Sequence, residues 1–391
     1  MTVLMGYADR ISVAAGETIA FKVSCSGAAR YRAEIVRVLS PEAGPQAPPF
    51  RREIVETPAN GEYLAREQAL RCGSWAMVPT HPRLAALESF SLQAFIWPTL
   101  PGRGRQAIAG TWSETLDSGF GLMIGAGGTL ELRIGDGKAA AFVLASEIPL
   151  LTRKWYFVAA SYDRASGVVR LYQELLADKT MVHRAPVEKR AAMTGSFKSA
   201  ASPFLIAAWY DGEDRGLPRV GGHFNGKIDR PIVADRALTR AEMALLAGDA
   251  VPSGLENAVV ARWDFSRDMS SEIIRDVSPN RLDGFTVNLP ARAMTGHNWD
   301  GSEMNWRNAP RQYGAIHFHE DDIADARWET DFTFTVPEDL RSGCYAAWLT
   351  AAEARFQIAF FVRPAKGKAK TDIVYLASTA TYTVYQNNIG R

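Results

Sequence analysis

Lys154-Trp-Tyr-Phe-Val-Ala-Ala-Ser-Tyr-Asp-Arg-Ala-Ser-Gly-Val-Val-Arg-Leu-Tyr172 holds two strand patterns joined by a short turn. Trp155–Tyr162 and Val168–Tyr172 are rich in aromatic and β-branched residues, and Asp163-Arg-Ala-Ser-Gly167 has the length and residue types of a hairpin loop. Upstream, Glu88–Pro98 alternates with period two: Phe90, Leu92, Ala94 and Ile96 share one face, and Pro98 ends the ladder. Further strands are predicted at Gln106–Trp112, Gly119–Ile124, Thr129–Ile134 and Phe224–Asp235. Thr239-Arg-Ala-Glu242 then has the form of a capping box before Met243-Ala-Leu-Leu246. One short helix after so many strands predicts a jelly-roll sandwich.

Toward the N-terminus, Ile11–Val13, Thr18–Ser24, Tyr31–Leu39, Arg51–Glu56 and Ser74–Val78 read as short strands. Ile19, Phe21 and Val23 alternate with Ala20, Lys22 and Ser24, an apolar face backed by a mostly polar one. Pro41, Pro45, Pro48 and Pro49 make the intervening segment a loop, since proline cannot donate to a ladder. Strands of the same kind return at Asp331–Val336, Ser342–Leu349 and Phe356–Pro364. Either group alone would leave a sheet with open edges, so residues 1–80 and 325–364 are expected to complete one small discontinuous β-sandwich. Residues 86–310 form the larger sandwich inserted into it, with 257–310 expected as an edge strand followed by a long excursion. The fold class is therefore mainly β.

At 391 residues the chain exceeds one ordinary core. Its 44 basic and 43 acidic side chains leave no bulk field to draw nucleic acid or a membrane surface, and neither is expected as a partner. Cys25, Cys72 and Cys344 are too few for a disulfide scaffold and fit a reducing cytoplasm, with a single Cys25–Cys72 bridge left open. No secretory signal pattern and no bilayer-length apolar run is visible.

Candidate chemistry concentrates in Tyr313–Phe332. Alternation over Ala315–His319 puts His317 and His319 on one strand face, with Glu320, Asp321 and Asp322 at its end. His317, His319, Asp321 and Asp322 make a candidate metal cluster, although an HxH pair without a third ligand at defined spacing is a weak zinc signal. A strand leaving its sheet through a solvated acidic turn is the alternative. In Gly296-His-Asn-Trp299 the expectation is an imidazole and an indole packed over a domain junction, with ligand binding as the second reading. Asp163, Asp229 and Asp235 read as turn and strand-end residues. After a basic linker at Pro364–Asp372, the continuous apolar run Ile373–Ala377 is expected as the first strand of an α/β domain that residues 371–391 only begin. The chain is thus expected to be a truncated one.

Two resemblances add to this. "FSLQAFIWP", "KWYFVAASYDRASGVVRLY" and "FNGKIDRPIVADRALTRAEMALL" resemble the laminin-G and concanavalin A-like sandwich family, which implies a carbohydrate-binding module without catalysis as one functional reading. "TGHNW", "YGAIHFHEDDIADARWETDF", "VPEDLRSGCYAAWL", "FFVRP" and "TATYTVYQNN" together resemble the large (beta) subunit family of N,N-dimethylformamidase. That resemblance implies the N-terminal accessory region of an amidohydrolase that converts small N-substituted amides to an amine and a carboxylate. It also implies a small partner subunit, further copies of the large subunit, and a mononuclear iron held by tyrosines and a glutamate in a C-terminal domain. By position Tyr382 is the first candidate iron ligand and Tyr385 the second, within a site this segment leaves incomplete.

Overall fold

The computed structural model describes residues 2–40, 48–177, 182–194, 197, 202–214, 216–248, 250–369 and 371–385. The chain forms two compact units, one of Met1–Leu70 with Ala326–Arg391 and one of Arg71–Asp325. Cys25, Cys72 and Cys344 are all free thiols, so the open Cys25–Cys72 bridge is not formed. No described helix is long and apolar enough to cross a membrane.

In the smaller unit a three-stranded sheet, ordered Val3–Ala8, Thr18–Ser26, Phe332–Thr335, faces a six-stranded one. The second sheet runs Ser12–Ala14, Ala354–Arg363, Gly343–Ala351, Arg30–Ser40, Arg51–Ile54, with Gly61–Leu64 also on Arg30–Ser40. The alternation of Thr18–Ser26 sends Ile19, Phe21 and Val23 into a core shared with Tyr31, Ala33, Ile35, Tyr345 and Phe360. Strands from both ends of the unit pair directly, as in Thr18–Ser26 with Phe332–Thr335 and Arg30–Ser40 with Gly343–Ala351.

The expected strand at Ile373–Leu376 does not form. These residues join no ladder among those described, and Ile373 and Leu376 are 86% and 89% exposed. An apolar run of this kind becomes a strand only when neighbours satisfy its backbone groups, and none is provided here. A short helix, Thr379–Tyr385, follows it.

The larger unit is built on a sixteen-stranded sheet, fourteen strands on one continuous path and two beside it, that folds back over itself. One layer runs from Phe142–Pro149 through Thr129–Asp136, Ser118–Ile124, Gln106–Gly110, Phe204–Ile206 and Trp75–Val78 to Gly284–Val287. The other carries Gly226–Ala234, Phe90–Pro98, Tyr156–Asp163, Val168–Leu175 and Val187–Ala192. Val259–Asp264 and Ile273–Asp276 join the two layers, and Ala315–Phe318 and Ala291–Met294 extend the second. Phe90, Leu92, Ala94 and Ile96 all point into the shared core, where Phe90 stacks on Phe120 with ring centroids 4.1 Å apart. The hairpin at 163–167 pairs Trp155's neighbour Tyr156 with Leu175 and Asp163 with Val168. The capping box forms as written: Thr239 Oγ1 accepts from Glu242 N and Glu242 Oε2 accepts from Thr239 N. The helix it starts lays Met243 and Leu246 on Phe95, Phe157 and Ile232, covering part of the second layer's outer face.

Two boundaries differ from the expectation. Trp75–Val78 pairs with Phe204–Ile206 and Gly284–Val287, so it belongs to the larger unit. Residues 257–310 supply four strands and the buried Trp263 instead of one edge strand and an excursion. Their short runs are separated by Asp, Asn and Ser turns that look like loop in isolation, and only pairing to Trp75–Val78 and Gly226–Ala234 makes them sheet.

Candidate functional site

On the second layer of the larger unit, period-two alternation divides inner from outer residues. Ile96, Ile228, Ile316 and Phe318 enter the core, which leaves Phe95, Trp97, Lys227, Asp229, Ala315 and His317 to the opposite face. Strand register then sets two rows. Phe95, Asp229 and Ala315 stand side by side, as do Trp97, Lys227 and His317. The segment Thr295-Gly-His-Asn-Trp299 crosses both rows.

Asp229 and Lys227 hold that segment down. Asp229 is 1% exposed; its Oδ2 lies 2.6 Å from His297 Nδ1 and accepts from His297 N at 3.2 Å. The His297 ring lies flat on Phe95, centroids 3.5 Å apart, with Trp155 at its edge. Glycine is needed at 296, because a Cβ there would sit 2.7 Å from Asp229 Oδ2. One row along, Lys227 Nζ donates to Thr295 Oγ1 at 2.8 Å and stands 4.7 Å from the Trp97 ring centroid. Burial lowers the Lys227 pKa. An imidazole held through Nδ1 by a buried carboxylate is fixed in orientation and can exchange a proton through its other nitrogen.

His317 and His319 come together with ring centroids 4.0 Å apart. His319 Nδ1 is 3.2 Å from Asp322 Oδ2, which also accepts from Ser74 Oγ at 2.6 Å. Glu320 pairs with Arg103 and Asn225, and Asp321 acts on Cys72, whose thiol is pushed up mainly by burial. Among the described residues no group of three or more His, Cys, Asp or Glu side chains is placed to hold a metal ion. Tyr382 lies in the Thr379–Tyr385 helix, 44% exposed, with its hydroxyl 3.5 Å from that of Tyr375. That hydrogen bond raises its pKa and favours the phenol over the phenolate a metal would need. Tyr385 ends the same helix, and its side chain lies outside the described residues.

Two readings need correction. Asp229 is a buried anchor in mid-strand, not a strand-end residue, and Trp299 is an exposed indole. Lys227 and Thr295 were missed altogether. The signal for Lys227 was its spacing of two from Asp229 in a strand whose other face is apolar; Thr295 carried none.

Burial, the charge on His319 and that on Lys227 together push the His317 pKa down to about 4. The neutral ring is thus favoured on folding, and the unfolded chain binds the extra proton between the ordinary histidine pKa of about 6.5 and 4. His317's contribution is complete above about pH 6.5 and lost as pH falls toward 4, by about 2 kcal/mol after allowance for solvent screening. Urea midpoints at pH 7 and pH 5 check this: the loss on acidification should shrink in His317→Gln.

Residues 291–391 match the family described as N,N-dimethylformamidase beta subunit-like, C-terminal. Residues 72–244 match the concanavalin A-like lectin/glucanases superfamily. The chain is 35% identical over 406 residues to the N,N-dimethylformamidase beta subunit of Paracoccus aminophilus, covering 98% of this chain and 52% of that protein. It is 34% identical over 401 residues to the N,N-dimethylformamidase beta subunit of an Alcaligenes species, with the same shares. The chain therefore spans about half the length of the curated relatives it matches. Among solved structures, the CBM40 of Ruminococcus gnavus IT-sialidase aligns with a TM-score of 0.34 at 18% identity, over 46% of this chain and 94% of that one. A heptameric SAP-like pentraxin from Limulus polyphemus aligns at 0.31 and 15%, over 46% and 83%.

Proposed function

The chain belongs to the N,N-dimethylformamidase beta subunit family over the half of those relatives that it spans, and on that premise we propose that it is the N-terminal accessory region of an amidohydrolase large subunit. The reaction assigned to the whole is hydrolysis of small N-substituted amides to an amine and a carboxylate. One observation carries this reading: identity of about a third extends across 98% of the chain, both compact units included. The scaffold role rests on the dominance of packed sandwich cores. Assaying amine release from N,N-dimethylformamide by this polypeptide is the test. No turnover is expected from it alone, and robust turnover without any other chain overturns the accessory role.

Iron belongs to this proposal only in part. Tyr382, a phenol bonded to Tyr375 with its ring edge-on to Phe361, does not make a donor set with the described residues, so no reaction step is assigned to iron here. Partner chains are proposed on the beta-subunit names of the relatives: a small subunit and further copies of the large one. Three free thiols support a cytoplasmic setting.

The apolar, exposed Ile373–Leu376 run is the proposed contact for such a partner. Lys366 and Lys368 lie in an exposed stretch just before it. Trypsin is expected to cut first within 366–370 and leave the sandwiches intact, and resistance there in a proven monomer contradicts the proposed contact.

A further inference from the structure

Lys227 is 8% exposed, yet its ammonium meets only neutral groups among the described residues: the hydroxyl and carbonyl of Thr295 and the face of Trp97. No carboxylate is bonded to it among the described residues: Asp229 holds His297 through Oδ2 and leaves Oδ1 without a described partner, Asp322 holds His319 and Ser74, and Glu320 pairs with Arg103 and Asn225. Burying a single charge without a counter-charge is costly, and such a group persists where an opposite charge can join it. His317, its register partner on the adjoining strand, has a buried Nε2 with no hydrogen-bond partner among the described residues. Two polar atoms on one face thus lack what one small anion would supply. Trp97 and His317 are only half-buried, which leaves the rim of this spot open to solvent.

We propose that Lys227, Thr295, His317 and Trp97 form a binding site for a small monocarboxylate. One carboxylate oxygen accepts from Lys227 Nζ, and the other accepts from His317 in its Nε2–H tautomer. A single negative charge matches the single ammonium, whereas a dianion would leave net charge buried. The low pKa of His317 keeps its ring neutral, so it adds a donor without adding charge. This site goes beyond the accessory reading above and does not depend on it.

Formate and acetate are the probes, followed by NMR of the intact chain near neutral pH. Saturable binding is expected with a dissociation constant on the order of 1 mM, weakened at least about tenfold in Lys227→Met. His317→Gln keeps the charge and should weaken binding by about threefold, and the ring signal missing from this variant identifies the wild-type signal that shifts with ligand. If Lys227→Met does not fold, a saturable His317 ring shift in the wild type with weaker binding in folded His317→Gln still supports the site, and unchanged affinity in His317→Gln overturns it. No saturable binding up to about 50 mM overturns the proposal, as does unchanged affinity in a folded Lys227→Met. Tighter binding of phosphate or sulfate than of formate also overturns it.

Discussion

Replacing Trp263 with alanine is expected to destabilise the larger unit by about 4 kcal/mol. Trp263 is fully buried in Val259–Asp264, stacks on Phe204 with centroids 5.0 Å apart, and donates from Nε1 to the Leu282 carbonyl at 2.8 Å. Alanine would leave a cavity in a close-packed interior and strip that carbonyl of its donor. Trp263→Phe separates the two effects: it keeps much of the ring volume but not the hydrogen bond, and should cost about 1–3 kcal/mol. Urea unfolding decides it, through a lower midpoint at an unchanged slope. If alanine is tolerated within about 1 kcal/mol, residues 257–310 do not help build the core.

The second large effect is asymmetric. His297→Ala is expected to cost about 3 kcal/mol and Asp229→Ala only about 1–2 kcal/mol, although the two side chains share one contact. Removing the imidazole leaves a buried carboxylate whose Oδ1 already lacks a partner among the described residues. Removing the carboxylate leaves an imidazole that is nearer solvent and keeps its stacking on Phe95. The double variant should therefore be no less stable than His297→Ala alone. Urea midpoints for the three variants at neutral pH test this, and simple additivity would show that the pair is not a buried charge contact.

Several site residues were legible and others were not, for reasons visible in particular side chains. His317 and His319 share a face because alternation over five residues is a local property. The metal reading asked more of them, and the acids following them turned out to have protein partners in Ser74, Arg103 and Asn225, distant in sequence. Tyr382 was sought beside a strand end; the preceding run found no ladder, and the tyrosine lies on a helix instead.

What the sequence by itself determined was local: the hairpin at 163–167, the alternating faces of Phe90–Pro98 and Thr18–Ser26, and the capping box at Thr239. Each depends on residues within a few positions of one another, where backbone geometry and hydrophobic period act directly. The tertiary structure alone decided which outward residues meet. Asp229 and His297 are 68 positions apart, as are Lys227 and Thr295, and both contacts exist only because Ala315–Phe318 pairs with Gly226–Ala234 and carries Ala291–Met294 on its other edge. Strand register is set by the burial of whole apolar faces, a sum over many weak contacts that no short motif records.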